Sequence, residues 1–168
     1  VTDRVDQLIE AWRTELPDVL GPTSELVKRV LLLAGDLNEA TRRELPEWGL
    51  TAAEFDVLVS LRRSGAPYRL KPNELSRSLL LSTGGTSNVV NRLVTRGLVE
   101  RTSAPDDGRS TLILLTAAGK SLAEEAVRAN SAAHEDVFAQ VPAEVVEAAT
   151  TALREVFAAV DGARSRRR

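Results

Sequence analysis

The chain has 168 residues, with 22 Lys and Arg against 24 Asp and Glu, one histidine, and no cysteine or methionine. The missing cysteines exclude disulfides, thiol redox switches and thiolate metal sites, and one histidine excludes a multi-histidine zinc site within the chain. The length suits one domain with its own core, packed by aliphatic side chains and alanine, because aromatics make up only 4% of the residues. No apolar run approaches the length of a membrane span and no signal peptide is read, so the expectation is a cytoplasmic chain with no membrane partner. The formal net charge of −2 conceals a division. Between Arg69 and Lys120, eight basic residues face four acids, a local net of +4, while the remainder carries −6. A basic lobe on an acidic body is the electrostatic footprint of a nucleic-acid binder, although a charge contrast is often only a solvated face.

Val5, Leu8, Ile9, Trp12 and Leu16 fall at helical spacing before Pro17 ends the pattern. Thr23 or Ser24 can cap a second helix running toward Leu45. Its Leu26, Val27, Val30, Leu31, Leu33, Ala34 and Leu37 spread apolar surface around most of the circumference, which suits a helix central to the core or shared with a second chain. Thr51 and Glu54 form a capping box, with Leu50 stapled against Phe55, for a third helix that buries Phe55, Leu58, Val59 and Leu61 and ends near Gly65 and Pro67. Pro72 opens a short helix with Leu75, Leu79 and Leu80 inward, its cap position held by Lys71, a poor capping residue. A fifth helix starts in Ser82–Ser87 and stops at Gly97. Val90, Leu93 and Val94 are its expected inner face, and Thr83, Ser87, Asn88, Asn91 and Thr95 an outward row of small hydrogen-bonding groups. Gly84 and Gly85 cost helix stability, which points to close backbone approach by something, phosphate oxygens being attractive candidates at a helix start.

Two strands, 98–102 and 111–115, flank a Pro105-Asp106-Asp107-Gly108 turn followed by Arg109. Thr116 then caps a long helix carrying Leu122, Ala126, Val127, Val137 and Phe138. Pro142 separates it from a last helix, which Gly162 is expected to end before a frayed basic tail. The fold class is mainly α with a small β-wing: a winged helix-turn-helix lobe on an all-helical scaffold.

The stretches LTAAEFDVLVSLRRSG, NELSRSLLLSTGGTSNVVNRLVTRGLVER and APDDGRSTLILLTAAGK, in this order of elements, resemble the MarR family of winged-helix transcription regulators. The resemblance runs from about Thr23 to the end, its most specific part being the Asp-x-Arg turn of the wing. It implies one MarR-like domain, with dimerisation helices in 1–48, a DNA-binding lobe in 50–116, further dimerisation helices in 117–162 and a basic tail in 163–168. It implies a homodimer on double-stranded DNA, with each recognition helix in a major groove of a pseudo-palindromic operator, and hence a nucleoid-associated repressor with no cofactor. Carried over, Thr83, Gly84, Ser87, Asn88 and Asn91 meet the major groove, Arg92 and Arg96 meet phosphates or brace the lobe, and Arg109, held by Asp107, enters the minor groove. Two positions depart from the common pattern. Val89 often holds arginine and can here touch a thymine methyl, and Asn91 often holds aspartate. The extra N-terminal helix resembles the urate-responsive branch, which matches Trp12, Asp56 and Arg101 to a ligand site. Val89 replaces one of that branch's arginines, so the expectation is a small anionic or aromatic effector rather than urate. Each of the three residues also has a plainer reading, Trp12 as core and Asp56 with Arg101 as a structural ion pair.

Two other classes compete. The 82–87 segment could cradle phosphate in an enzyme, but no Gly-Lys-Ser/Thr follows its glycines, adjacent Asp106 and Asp107 belong to a turn, and His134, better read as a packing or surface residue, has no nucleophile at a recognisable spacing. A winged helix used only for protein contacts is opposed by Arg109 and the +4 lobe.

Overall fold

The computed structural model describes residues 2–79, 83–104 and 107–166, and the side chains at 83 and 104–110 lie outside that description. Leu80, Ser82, Pro105 and Asp106, all read above, and the last two residues of the basic tail therefore lie outside the described residues. Contacts divide the chain into two compact units, Val1–His134 and Glu135–Arg168.

The first unit opens with α1 (Arg4–Glu15), started by a capping box the sequence reading did not include. The Asp3 side chain accepts from the amides of Val5 and Asp6, and the Asp6 carboxylate accepts from the amide of Asp3. Val5 and Ile9 are buried, whereas Leu8, Trp12 and Leu16 stay exposed. A 3-10 turn, Pro17–Val19, leads to α2 (Ser24–Glu44). Arg29 of α2 ties the two helices together through Asp3 at 2.8 Å and Asp6 at 2.6 Å. No residue of α2 is buried, and Leu26, Val27, Val30, Leu31 and Leu33 face outward.

A second 3-10 turn, Leu45–Trp48, ends at Gly49 in the left-handed conformation (φ 58°), which a residue with a Cβ rarely adopts. Helix α3 (Ala52–Arg63) begins at the expected box, Thr51 Oγ1 accepting from the Glu54 amide and Glu54 from the Thr51 amide. Its Phe55, Leu58 and Leu61 are buried as expected, and Val57 is buried more completely than Val59. Strand β1 (Arg69–Leu70) was not foreseen, since two residues carry no alternation. It pairs with β3 through Arg69–Leu114 and Leu70–Ile113. Helix α4 (Pro72–Leu79) is better satisfied at its start than Lys71 implied, because the Glu74 carboxylate accepts from the Lys71 amide at 2.8 Å.

Helix α5 (Thr83–Thr95) is followed by β2 (Val99–Ala104) and β3 (Asp107–Leu115), antiparallel, in a sheet ordered β1-β3-β2 with an irregularity at Ser103/Ala104. The wing strands are thus longer than the sequence limits of 98–102 and 111–115. Helix α6 (Ala117–Val137) starts where Thr116 Oγ1 accepts from the Gly119 amide and donates to the Gly97 and Leu98 carbonyls. Ala123 and Ala126 of α6 join Leu58, Leu61, Leu75, Leu93 and Ile113 in the core. Val137 is exposed. His134 Nε2 meets Thr41 Oγ1 at 2.9 Å, the packing role expected of it.

The second unit contains α7 (Ala143–Ser165), which has no buried residue and leaves Phe157 66% exposed. The helix runs through Gly162 to Ser165, correcting the expected stop. Glycine in a helix costs about 1 kcal/mol without forbidding it. No helix among the described residues is long and apolar enough to cross a membrane.

Gly119 is the tightest joint in the fold. A Cβ there would stand 1.9 Å from the Leu98 carbonyl oxygen and 2.8 Å from its carbon, and backbone cannot step aside as a side chain can. Gly119→Ala is expected to lose at least about 2 kcal/mol, the upper part of the usual overpacking range. Urea denaturation would check it, and a loss below 0.5 kcal/mol, the size of an ordinary surface substitution, would show that the joint has slack.

Candidate nucleic-acid interface

The phase of α5 is set by what it buries. Thr86, Val89, Val90 and Leu93 are all buried, at i, i+3, i+4 and i+7, while Ser87, Asn88, Asn91, Arg92 and Thr95 are exposed. This corrects two sequence readings. Val89, expected to face a base, is 6% exposed and belongs to the core, and Val94, expected inside, is 38% exposed. Thr86 is held on the inner side by Ser76 of α4, whose hydroxyl lies 3.0 Å from its own. The outer row therefore presents short polar side chains from a helix whose inner face is fixed by packing. A Cβ built on Gly84 would meet nothing within 4 Å inside the chain, so internal packing does not require that glycine.

The helix is also fixed by charge. Glu54 of α3 is buried at 4% exposure and does more than cap its own helix. Its Oε1 accepts from Arg92 Nε at 3.1 Å, and Arg96 Nη1 lies 3.5 Å from its Oε2 while donating to the Gly49 carbonyl at 2.9 Å. Arg92 and Arg96 thus brace the lobe, and the Arg92 side chain remains 54% exposed on the same surface as the polar row. Burial pushes the Glu54 carboxyl up, but the Thr51 amide and hydroxyl and the Arg92 guanidinium outweigh it and leave the group below its ordinary range.

Arg101 of β2 reaches across to α5 and donates to Asn91 Oδ1 at 2.8 Å. It also lines a cleft of about 150 Å³ with Ser76, Ser87, Val90 and Thr111, where α4, α5 and the sheet meet. Asp56 is not its partner, which corrects the ion pair considered above. Asp56 stands on α3, where neighbouring atoms desolvate its carboxyl and raise its pKa against the opposing charge of Arg63. Trp12 lines a separate cleft of about 350 Å³ between α1 and α2, with Ile9, Leu16, Val27 and Lys28. Trp12 and Arg101 thus line different clefts. Thr83 opens α5 and Asp107 and Arg109 lie on β3, but their side chains are outside the described residues. No group of three or more metal-ligating side chains forms among the described residues.

Residues 48–110 match the profile described as MarR family. The HTH-type transcriptional regulator PecS of Dickeya dadantii is 30% identical over 141 residues, covering 80% of this chain and 81% of PecS. Wild-type apo MarR from Escherichia coli superposes with a TM-score of 0.70 at 26% identity, over 78% of this chain and 95% of that one. CouR from Rhodococcus jostii RHA1, bound to p-coumaroyl-CoA, gives a TM-score of 0.64 at 29% identity, over 80% and 91%. The homologues are transcriptional regulators, not enzymes.

Because the folded-state pKa of Glu54 is depressed, its contribution is present above the unfolded carboxylate value and is lost as pH falls through the folded one. Glu54→Gln is expected to cost about 1–2 kcal/mol at neutral pH, the partly exposed arginines limiting the loss. The wild type and variant should converge in denaturation midpoint on acidification. A difference that stays constant with pH would mean that the carboxylate charge is not what holds α5.

Proposed function

Because the chain belongs to the MarR family of transcriptional regulators, we propose that it represses transcription as a homodimer on a pseudo-palindromic operator, at the nucleoid in the cytoplasm. The observation that carries this reading is the outward row Ser87, Asn88 and Asn91 on a helix anchored from behind by Glu54 and by the Thr86–Leu93 stripe. Such a helix can enter a major groove without changing shape, and Arg92 stands beside the row to meet a phosphate with the part of its guanidinium that Glu54 does not use. Gly84, with open space over it, lets a phosphate approach the start of the helix. The wing contributes Arg109, with Asp107 to orient it, as the minor-groove reader that the family resemblance implies. Support for the dimer comes from exposed apolar residues: Leu31 and Val30 on α2, and Phe157 and Val145 on α7.

The expectation for Arg109→Ala is a loss of operator affinity of about tenfold or more, the scale of one good groove contact, with dimerisation unchanged in sedimentation. Affinity of the wild type should fall steeply with salt, because phosphate contacts release counterions. A gel-shift midpoint unmoved by the substitution would remove the wing from the mechanism. A flat salt response would favour a winged helix used for protein contacts.

The reading includes a small anionic or aromatic effector. What supports it is the ligand named for CouR, together with two clefts that each combine a cation with apolar walls, one at Trp12 and Lys28 and the other at Arg101. An effector that favours one spacing of the two lobes would shift operator binding by its differential affinity. Calorimetric titration of the dimer with small organic acids and purines should give saturable heat for at least one compound. That heat should weaken in Trp12→Ala or Arg101→Met, and silence across the whole panel would count against an effector.

A further inference from the structure

The contact between Arg101 and Asn91 decides which atoms Asn91 can offer to a base. A guanidinium carries only donors, so the carboxamide atom 2.8 Å from Arg101 Nη2 must be the oxygen, and the orientation of the amide is settled by chemistry. Both side chains are exposed, Asn91 on the outward row of α5 and Arg101 on β2 beside it. With Oδ1 turned toward Arg101, the other corner of the amide is Nδ2, which only donates. Among the described residues Arg101 has no carboxylate partner, and Asn91 leaves its positive charge in place. An aspartate at position 91 would have neutralised it.

We infer that Arg101 is a positioning residue for base specificity, turning Asn91 from an adenine reader into a guanine reader. This rests on the DNA-binding reading above. An unrestrained asparagine pairs with adenine by donating to N7 and accepting from the N6 amino group. Here the oxygen retains a second lone pair, but a cation seated on that edge presents N–H groups where the adenine amino group would have to arrive. Donor faces donor, and the pairing is disfavoured. Guanine shows two acceptors in the major groove, N7 and O6, and either can meet Nδ2 with no donor facing a donor. Ser87, four residues earlier on α5 and on the same cleft as Arg101, can donate or accept and leaves this preference unchanged.

The test is selection from a random-sequence duplex library with the full-length wild type, Asn91→Ala, Arg101→Met and Arg101→Lys. The wild type should enrich guanine at one position of each half-site, and that position should become degenerate with Asn91→Ala. Arg101→Met removes the donors while keeping bulk, and should change the same position to adenine, by about tenfold over guanine. Arg101→Lys still donates to Oδ1 and should keep guanine, which separates positioning from general damage to the lobe. Guanine retained by Arg101→Met would overturn the inference, as would adenine at that position in the wild type or an unchanged preference in Asn91→Ala. Wild type enriching no sequence would overturn the DNA-reading proposal itself, and this inference with it.

Discussion

A buried carboxylate in a small helical lobe is a constraint on everything around it. Glu54 lies almost out of water, where an uncompensated charge would cost several kcal/mol, so its partners are obligatory. It finds them in three places: the Thr51 amide and hydroxyl at the start of its own helix, Arg92 near the end of α5, and Arg96 one turn further on. The same group that starts α3 therefore fixes where the polar helix ends. Arg96 extends the tie to Gly49, the left-handed residue that turns the chain into α3. Two helices, α3 and α5, are thus joined at two oxygen atoms, and the outward row of α5 inherits its position from them.

Packing completes what charge begins. The stripe Thr86, Val89, Val90 and Leu93 seats α5 on the core, and Ser76 joins its hydroxyl to Thr86 so that the one polar member of the stripe is satisfied. On the far side of the lobe, Arg62 of α3 reaches Glu124 of α6 at 2.7 Å and lies over the Tyr68 ring at 4.8 Å. Helix α5 is thereby mounted on α3, and α3 is mounted on α6. The exposed apolar residues of α2 take no part in this arrangement, and the second copy of the chain proposed above would cover them.

Short-range signals were legible in the sequence because the atoms involved are only a few residues apart. Thr51 with Glu54, Pro72 at a first helical position and Thr116 before α6 were readable as helix starts, and each is one. The partners of Glu54 and Arg101 were not, since 38 residues separate Arg92 from Glu54 and a change of element separates Arg101 from Asn91. The outward row of α5 was legible, but the edge of its inner face was not, because its first turn is glycine, serine and threonine, which give no apolar marker. Only the core shows that Val89 goes in and Val94 stays out. β1 escaped notice because it exists only through β3, and the Asp3–Asp6 box shows that an acid can replace the Ser/Thr expected at such a start.

The closure at Gly119 bears on how the protein could be regulated. With no room between the first turn of α6 and the Leu98 carbonyl, the turn leaving α5 and the root of the wing are clamped to the scaffold helix. A lobe attached in that way behaves as the short arm of a lever whose long arm is α6. A tilt of α6 would swing the polar row and the wing together, keeping their mutual spacing while changing where they would fall along the duplex proposed above. For the operator binding proposed above, such a device would act through aim, not through local unfolding, and would leave the core intact on release.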